Sequence, residues 1–299
     1  MFLKLLGTAA GGGVPQWNCA CTLCSVSRID PQRIGPRLQT QAAVSADNKR
    51  WFLINASPDL RLQIESNPQL CPVPHLGQRN TPIAGIVLTS ADLDQVLGLL
   101  LLREFQPLTI YATSLIRRVL QANSFFDMLT RVSNQLTWVD ISPEKPFSLD
   151  GVTCTPFALA GSLPHYAKDF PSQTPGEASL GLIFDTPDTR IAYTPSVPEI
   201  TPQLLKFYET SDVIFVDGTF WTNSELTRTH AGTPLARAIG HVPISGDDGT
   251  IALLSGITRP RKYYTHINNT NPILDPQSPE AEFVRKHGWE LGHDGWQLS

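Results

Sequence analysis

The stretch that decides the fold reads IAGIVLTSADLDQVLGL, residues 83–99. Its first part, residues 83–88, is short, apolar and rich in β-branched side chains, which predicts a buried strand. The second part is rich in leucine, and we predict that a helix begins near Asp92 and runs to Arg103. Asp92 and Asp94 therefore follow a strand and open a helix, where two carboxylates are well placed to bind a metal ion. Acids cap helices routinely, so this segment alone favours the capping role.

Short strands and helices alternate along the rest of the chain. Strands are predicted over residues 2–6, 41–45, 51–55, 108–112, 152–159, 180–185, 190–194, 213–216 and 262–265, and helices over residues 60–64, 115–123, 202–210 and 280–286. Strands interleaved with helices predict an α/β fold of layered sheets and helices. We expect residues 1–299 to form a single domain, in which two long polar segments, residues 162–177 and 222–249, serve as lids or binding loops.

Composition excludes several classes of protein. Of the 299 residues, 41% are hydrophobic and 17% are charged, so the chain can bury a large core and is not expected to be disordered. A net charge of -4 argues against a general nucleic-acid surface. The N-terminus lacks the pattern of a signal peptide, and the richest apolar run, residues 96–102, is much shorter than a membrane helix. We therefore expect a cytoplasmic protein with no membrane or nucleic-acid partner.

Three cysteines lie within six residues: Cys19, Cys21 and Cys24. The chain has five cysteines, an odd number, which does not fit a disulfide framework. Thiolates at this spacing can converge on one tetrahedral Zn²⁺ and leave its fourth position to a distant residue. The alternative is a set of three unrelated buried thiols, and the close spacing in a cysteine-poor chain argues against it. We predict a structural zinc site in an N-terminal loop.

Two further segments place polar side chains after apolar strands. Asp217 follows the strand predicted at residues 213–216, and His266 follows the one predicted at residues 262–265. His241 lies within the long polar segment between them. These residues can line a binding site, since open α/β layers place ligands at strand ends. Each can equally be a turn acid or a hydrogen-bonded loop histidine, and the residues alone leave both interpretations open.

Four stretches resemble one branch of the metallo-β-lactamase superfamily, the PQQ synthesis B family. They are GTAAGGGVPQWNC at residues 7–19, NASPD at 55–59, VDGT at 216–219 and HINNTNPIL at 266–274. The resemblance covers nearly the whole chain and implies a four-layer αββα sandwich, the metallo-β-lactamase-like fold, with the active site at one edge. It also implies a role in making pyrroloquinoline quinone (PQQ) from a peptide-derived precursor. The protein would act either as an iron-dependent hydroxylase of the tyrosine-derived ring or as a non-catalytic carrier of PQQ or its precursor toward the periplasm.

The sequence departs from the superfamily at the strand-end motif His-x-His-x-Asp-His. The aligned residues are Ser90, Asp92, Asp94 and Gln95, so only Asp94 is kept. A dinuclear zinc hydrolase is therefore not expected. Because Gln95 is a neutral and weaker ligand than an imidazole, we expect weak iron affinity, which Gln95→His would raise.

The metal-binding residues of the superfamily that this sequence retains can hold one metal ion rather than two. We expect a single Fe(II) bound by Asp94 and His266, with help from His241 or Asp92, because two imidazoles and a carboxylate with open positions suit Fe(II) and O₂. The candidate catalytic residues are Asp92, Asp94, Gln95, Asp217, His241 and His266. The expected ligand is a polar, anionic aromatic precursor, whose charge can be met by Arg103, Arg228 or Arg237.

The fourth zinc ligand is inferred from a related phosphodiesterase branch of the superfamily. There a paired His-x-x-His divides its duty between the active site and the zinc. By that analogy His266 faces the active site and Asn269 takes the zinc-side position. An amide oxygen is a poor zinc ligand beside thiolates, so a water molecule or another residue can intervene. The resemblance also leaves a homodimer open.

Overall fold

The computed structural model describes residues 1–171, 176–229 and 233–298. Its strands are β1 (Phe2–Gly7), β2 (Gln41–Ser45), β3 (Trp51–Ile54), β4 (Ile83–Val87), β5 (Leu108–Ala112), β6 (Leu136–Asp140), β7 (Phe147–Leu149), β8 (Val152–Ala158), β9 (Leu180–Thr186), β10 (Thr189–Thr194), β11 (Val213–Asp217), β12 (Arg261–Thr265), β13 (Trp289–Leu291) and β14 (Gln297–Leu298). Its α-helices are α1 (Thr22–Ile29), α2 (Leu60–Glu65), α3 (Leu93–Val96), α4 (Ser114–Gln121), α5 (Pro202–Thr210), α6 (Glu225–Thr229), α7 (Thr250–Leu253) and α8 (Pro279–Lys286). Short 3₁₀ helices cover Pro68–Leu70, Pro74–Leu76, Leu97–Leu102, Ser124–Thr130, His165–Ala167, Arg237–Ile239 and Pro272–Leu274.

The chain divides into two compact units. The first comprises Met1–Gly7, Gln41–Pro187 and Gly295–Ser299, and the second comprises Thr8–Thr40 and Asp188–Asp294. The expectation of a single domain over residues 1–299 stays a prediction.

The first unit contains a seven-stranded sheet in the order β14-β1-β2-β3-β4-β5-β6. The strands β1, β2 and β3 are antiparallel neighbours, whereas β3 to β6 run parallel. The central parallel strands β3 and β4 are apolar and almost wholly buried, and Ile86 of β4 pairs with Ile110 of β5, both fully buried. Leu115 and Val119 of α4 join the same core, which explains their spacing of four residues. An antiparallel ribbon of β7, β8 and β9 also belongs to this unit.

The helix predicted over residues 92–103 is wrong in its length and type. The α-helix α3 ends at Val96, and a 3₁₀ helix continues over Leu97–Leu102. Gly98 explains the change, because its amide donates to the carbonyl of Ala56 at 2.9 Å instead of extending the α-helix. A Cβ at Gly98 would lie 2.2 Å from the carbonyl oxygen of Ser57, so only glycine allows this approach.

The second unit contains a parallel sheet of β10, β11, β12 and β13. Strand β11 is apolar up to Asp217 and buried along its whole length, and the ring of Tyr264 in β12 stacks on Trp289 of β13 with centroids 4.2 Å apart. The register pairs Asp217 at the end of β11 with Thr265 at the end of β12. His266 therefore follows directly beside Asp217, because the carboxyl ends of parallel strands meet at one edge of the sheet.

Most predicted strands and helices are present, with ends shifted by one or two residues, and several elements were missed. Helix α1 was missed because a cysteine, Cys21, caps it: its Sγ accepts a hydrogen bond from the Cys24 amide, and the usual capping residues are absent. The strands β6, β7 and β14 are short and partly exposed, so they lack a clear apolar pattern. Within the described ranges, none of the helices has the length and apolar character that crossing a lipid bilayer requires.

Candidate metal centres

Cys19, Cys21 and Cys24 form a thiol cluster at the start of α1, with their Sγ atoms all within 4.8 Å of one another. Cys24 is buried, and Cys19 and Cys21 are half-buried. The turn that precedes α1 draws the sulfurs together, since the Cys21 amide donates to Cys19 Sγ at 3.4 Å and the Cys24 amide donates to Cys21 Sγ at 3.5 Å. A tetrahedral Zn²⁺ with Zn–S bonds of about 2.3 Å needs sulfurs about 3.8 Å apart, which this cluster can provide.

The side chain of Asn269 reaches all three sulfurs. Its Nδ2 lies 3.2 Å from Cys19 Sγ, 3.3 Å from Cys24 Sγ and 4.0 Å from Cys21 Sγ, and the residue is buried. The structure therefore places Asn269 beside the thiol cluster, and its role as a zinc ligand stays a prediction. A flip of the amide group would present Oδ1 instead of Nδ2 to a metal ion.

Burial and hydrogen bonds act unequally on the thiols. Burial opposes ionisation of Cys19, but hydrogen bonds from the Cys21 amide, the neighbouring thiols and Asn269 outweigh it and lower the pKa of Cys19. Burial, together with Cys19 and Cys24, raises the pKa of Cys21 to about 11. One thiolate is thus favoured and a second is opposed, because two negative charges in a small volume repel each other. A divalent cation reverses that opposition, so the donor set suits Zn²⁺.

The thiol cluster borders an open cleft of about 570 Å³. Cys19 and Cys21 line it together with the amide side chains of Gln16, Asn18 and Asn269. A metal ion can therefore reach the sulfurs from solvent without opening the core of the second unit.

Asp217, His241 and His266 form a second group, the imidazole cluster, whose ligand atoms also lie within 4.8 Å of one another. Asp217 is fully buried and His266 is nearly so. The two imidazole rings stack, with centroids 5.5 Å apart and planes inclined by 21°. His241 Nδ1 lies 2.7 Å from Asp217 Oδ2.

Four donors surround the Asp217 carboxylate. Oδ1 accepts from the Thr219 amide at 3.0 Å and from its hydroxyl at 2.6 Å, while Oδ2 accepts from the Val197 amide at 2.8 Å and from His241 Nδ1. Burial alone would raise the pKa of Asp217, but His241, His266 and Thr219 outweigh it and lower that pKa. Asp217 is therefore ionised, and its lone pairs are used to orient its neighbours.

Thr219 fixes which nitrogen of His266 carries the proton. The Thr219 hydroxyl has one proton and gives it to Asp217, because an ionised carboxylate can only accept. His266 Nδ1, 2.7 Å from Thr219 Oγ1, must then be the donor in that contact. His241 Nδ1 likewise donates to Asp217. When the two rings are neutral, Nε2 bears the lone pair in each, which is the arrangement that metal-binding histidines adopt.

The backbone of His266 is strained. Its φ is 58°, in the left-handed region that non-glycine residues rarely adopt. The neighbouring amide of Ile267 donates to the carbonyl of Thr8 at 2.8 Å, and Asn268 donates to Thr219, so the loop is held in place. Such strain is retained where the surrounding structure fixes it, and it is concentrated at functional sites.

The polar residues after β4 form a different arrangement, the Ser90 network of Thr89, Ser90, Asp92 and Gln95. The Ser90 hydroxyl donates to Asp92 Oδ2 at 2.6 Å, and the Thr89 hydroxyl donates to Gln95 Oε1 at 2.7 Å. Gln95 is 3% exposed. The predicted site residues Asp92 and Gln95 are therefore brought together, but as partners of neighbouring hydroxyls.

The remaining predicted residues are Asp94, three arginines and the two long polar segments. Asp94 lies half-buried in the first turn of α3 in the first unit, and its predicted pairing with His266 stays a prediction. Arg103 and Arg237 form ion pairs with Glu104 at 3.6 Å and Asp248 at 2.7 Å, and Arg228 donates to Thr222. The predicted lid loops include residues 172–175 and 230–232, which lie outside the described residues.

Sequence reasoning missed the role of Thr219. The sequence signal for this role is the position of Thr219 two residues after Asp217. The chain turns there, so the threonine hydroxyl can donate a hydrogen bond to the Asp217 carboxylate. Gly218 makes that turn possible, because a Cβ there would lie 2.8 Å from Tyr264 Cβ.

Comparisons with known proteins identify the family. A model of the Beta-lactamase superfamily domain matches residues 50–267. Coenzyme PQQ synthesis protein B from Methylobacterium radiotolerans is 39% identical, and the match covers 100% of both chains. The protein of that name from Gluconacetobacter diazotrophicus is 40% identical, with 99% of each chain covered.

Solved structures agree with the sequence comparisons. The crystal structure of Zn²⁺-bound PqqB from Methylobacterium extorquens matches with a TM-score of 0.94 at 38% identity, over 100% of both chains. A diphosphatase of the PhnP family matches with a TM-score of 0.67 at 21% identity, over 99% of this chain and 96% of that one, which shows a common fold alone. The α/β metallo-β-lactamase fold predicted from the sequence is thus confirmed, and the chain belongs to the coenzyme PQQ synthesis protein B family of the β-lactamase superfamily.

Proposed function

We propose that the protein acts in PQQ biosynthesis as an iron-dependent hydroxylase of the tyrosine-derived ring of a peptide-derived precursor. The observation that carries this proposal is the proton arrangement of the imidazole cluster, in which His241 and His266 both direct their protons to oxygen through Nδ1. Two Nε2 lone pairs, held by a buried carboxylate and a hydroxyl, suit a divalent metal ion with open positions. The family supplies the pathway, since the relatives are PQQ synthesis proteins.

The residues of the cluster have separate tasks in this proposal. His241 and His266 would hold the metal ion, with Nε2 of each ring as the ligand atom. Asp217 keeps the His241 ring in place, and Thr219 does the same for His266. When bound, Fe(II) would supply the activation of O₂ that ring hydroxylation requires. The thiol cluster and Asn269 hold a zinc ion whose role is structural, in line with the zinc-bound relative.

Iron loading tests the proposal. The zinc-containing protein is treated anaerobically with Fe(II), and bound iron and oxygen uptake with the precursor are measured for the wild type, His266→Ala and His287→Ala. The last is a matched control, since His287 is exposed and its Nδ1 contacts only the carbonyl of Phe283 among the described residues. We expect about one iron and oxygen uptake for the wild type and the control, and loss of both in His266→Ala.

A carrier function is the second candidate, and the Ser90 network favours it. The residues that stand where the superfamily has histidines are hydrogen-bonded to one another, since the Ser90 hydroxyl contacts Asp92 Oδ2 at 2.6 Å and Gln95 Oε1 at 3.3 Å. A carrier would bind the precursor or PQQ with unchanged affinity in His266→Ala and would consume no oxygen in any variant. That result would replace the hydroxylase proposal.

A further inference from the structure

The first unit carries an exposed apolar surface that belongs to neither candidate metal centre. Among the described residues, sixteen large hydrophobic side chains are exposed, and seven of them lie between residues 93 and 132. They are Leu93, Leu97, Leu101, Phe105, Phe125, Met128 and Val132. A single exposed apolar side chain is ordinary, but a group of them indicates a surface that another molecule covers.

The 3₁₀ helix Ser124–Thr130 places two of these side chains on one face. A 3₁₀ helix has three residues per turn, so side chains three positions apart lie above one another. Phe126 and Leu129 form the inner face and pack against the core of the first unit. Phe125 and Met128 therefore share an outer face, and Phe125 is 74% exposed.

The same face continues onto the segment that follows the 3₁₀ helix Leu97–Leu102. The two 3₁₀ helices pack against each other. Arg131 comes three residues after Met128, and its guanidinium lies over the ring of Phe105, 5.4 Å from the ring centroid. Phe105 is 50% exposed. Arg131 thus joins Phe105 to the outer face of Phe125 and Met128, and we name these three side chains the Phe125 patch.

A cleft lies beside the Phe125 patch, between α2 and the 3₁₀ helix Leu97–Leu102. Its volume is about 390 Å³, and its apolar lining includes Ile64, Leu101 and Leu102. None of these three side chains is fully buried, so each still offers apolar surface to a partner. Phe105 directly follows a residue that lines the cleft, which makes the cleft and the patch adjacent parts of one surface.

The charges on this surface are balanced in sign. Two arginines and two glutamates border the cleft, namely Arg61, Arg103, Glu65 and Glu104. On the neighbouring 3₁₀ helix, Asp127 and Arg131 are exposed and lie four residues apart. Within the part of the chain that the structure describes, neither of them forms an ion pair. Equal charge of both signs does not attract an anionic membrane or a nucleic acid, but it is complementary to a second copy of the same surface.

We propose that this face of the first unit binds a second copy of the chain about a two-fold axis. Every contact in such an interface occurs twice, so a protruding group and the hollow that it fills must lie on the same face. Phe125 is the protruding group, and the cleft beside Leu101 is the hollow. Asp127 pairs with Arg131 of the partner subunit, and the reciprocal pair forms as well. The aromatic rings at the centre exclude water from around these ion pairs.

Sedimentation velocity of the full-length, zinc-containing protein over a range of micromolar concentrations tests the proposal. We expect a monomer–dimer equilibrium for the wild type. Phe125→Ser should weaken self-association about tenfold or more, because buried aromatic anchors carry most of the binding free energy of an interface. Trp17→Ser is the matched control and should leave the equilibrium unchanged, since Trp17 is 87% exposed but lies in the second unit.

A charge exchange tests the proposed ion pairs. Asp127→Arg brings two positive side chains together across the interface, and Arg131→Asp brings two negative ones together, so each variant alone should be monomeric. An equimolar mixture of the two variants restores both ion pairs and should dimerise. The same chains are compared alone and mixed, so a local disturbance in either variant cannot produce this recovery.

The outcomes separate a second copy from other partners. The proposal is overturned by a wild type that is monomeric at every concentration, by equal self-association of Phe125→Ser and Trp17→Ser, or by a mixture that associates no more than either charge variant alone. Flotation with phosphatidylcholine–phosphatidylglycerol vesicles that requires Phe125 would assign the patch to a lipid surface instead. His266→Ala should dimerise like the wild type, because neither candidate metal centre contributes to this surface, and the proposed function can therefore fail independently.

Discussion

The imidazole cluster and the Ser90 network are both polar groups placed where a strand ends, yet their side chains are used differently. In the imidazole cluster, Nδ1 of His241 lies against Asp217 and Nδ1 of His266 lies against Thr219, so that Nε2 of each neutral ring carries the lone pair. In the Ser90 network, the hydroxyl protons are given to the side chains of Asp92 and Gln95. The first arrangement orients imidazole nitrogens that can bind a metal ion. In the second, the carboxylate and amide oxygens accept hydrogen bonds from neighbouring hydroxyls of the protein.

The difference teaches that position at a strand end is not enough for a metal site. Asp217 is fully buried, and its carboxylate accepts four hydrogen bonds, one of which orients the ring of His241. Gln95 is also buried, but its oxygen completes the hydrogen bonding of Thr89. We therefore expect changes in the imidazole cluster and the thiol cluster to alter metal content, and changes in the Ser90 network to alter stability alone.

The largest effect is expected at the thiol cluster. Cys21→Ser removes one of three sulfurs, so about one zinc per chain should be lost, and the melting temperature should fall on the order of 10 °C because metal binding contributes folding energy. Metal analysis and thermal melting measure both. Cys71→Ser is the control, since Cys71 is half-buried and its Sγ donates to backbone carbonyls of the first unit. Full zinc retention with unchanged melting in Cys21→Ser would contradict a structural zinc site.

Much of the fold could be predicted because its strands are apolar and its helices have regular spacing. The strand over 108–112 and the helix over 202–210 were predicted with the bounds that the structure has. The segment after Asp92 was not, because Gly98 bonds to Ala56, a contact between residues far apart in the chain. Local sequence carries no signal for such a contact.

The candidate site was predictable in its parts but not in its hydrogen bonds. The spacing of Cys19, Cys21 and Cys24 is local and was sufficient to predict a cluster. The meeting of Asp217 with His241 joins a strand end to a loop more than twenty residues away, and the sequence alone left their roles open. The role of Thr219 in orienting His266 could not be predicted, because a threonine in a turn has many ordinary roles.

The next effect concerns the Ser90 network. Gln95→Ala removes the acceptor of the 2.7 Å hydrogen bond from the Thr89 hydroxyl and leaves that hydroxyl the longer bond to Asn55 Oδ1 at 3.1 Å, which should lower the free energy of unfolding by about 0.5–1.5 kcal/mol. Zinc and iron contents should stay as in the wild type. Denaturant unfolding and metal analysis check the two statements. Loss of iron in Gln95→Ala would show that Gln95 is a metal ligand. Gln95→His, which the resemblance predicts to raise iron affinity, would then test that ligand role most directly.

A subtler change is expected from Thr219, which contacts both histidines and Asp217. Thr219→Val keeps the shape of the side chain but removes the hydroxyl that fixes His266, so iron affinity should fall about tenfold to a hundredfold. Thr219→Ser retains the hydroxyl and should restore most of that affinity. Anaerobic iron titration with a competing chelator provides the measurement. If Thr219→Val and Thr219→Ser bind iron equally well, the hydroxyl does not position His266.

The smallest effect is a change in the pH dependence of stability at Glu225, which joins the loop after β11 to the loop after β12. Glu225 Oε2 accepts from the Trp221 amide and Oε1 from the Thr270 hydroxyl, both at 2.6 Å. Burial raises the pKa of Glu225 to about 7, although these hydrogen bonds oppose the rise. The folded protein therefore holds this proton more tightly than the unfolded chain, whose glutamate has a pKa of about 4.3. The resulting stability is fully present below that value and is lost as pH rises through about 7.

Glu225→Gln removes this titration, so its free energy of unfolding should fall less steeply than that of the wild type between about pH 4.5 and 7. The variant also loses one acceptor, which shifts its whole curve downward without changing the slope. Urea unfolding across this pH range separates the two effects. Glu282→Gln is the control, because Glu282 is exposed and paired with Lys286, which lowers its pKa. The Glu282 variant should keep the wild-type slope over that range. Parallel curves for the wild type and Glu225→Gln would mean that Glu225 is ionised throughout, and that the two loops are joined by a charged side chain at every pH at which the protein is folded.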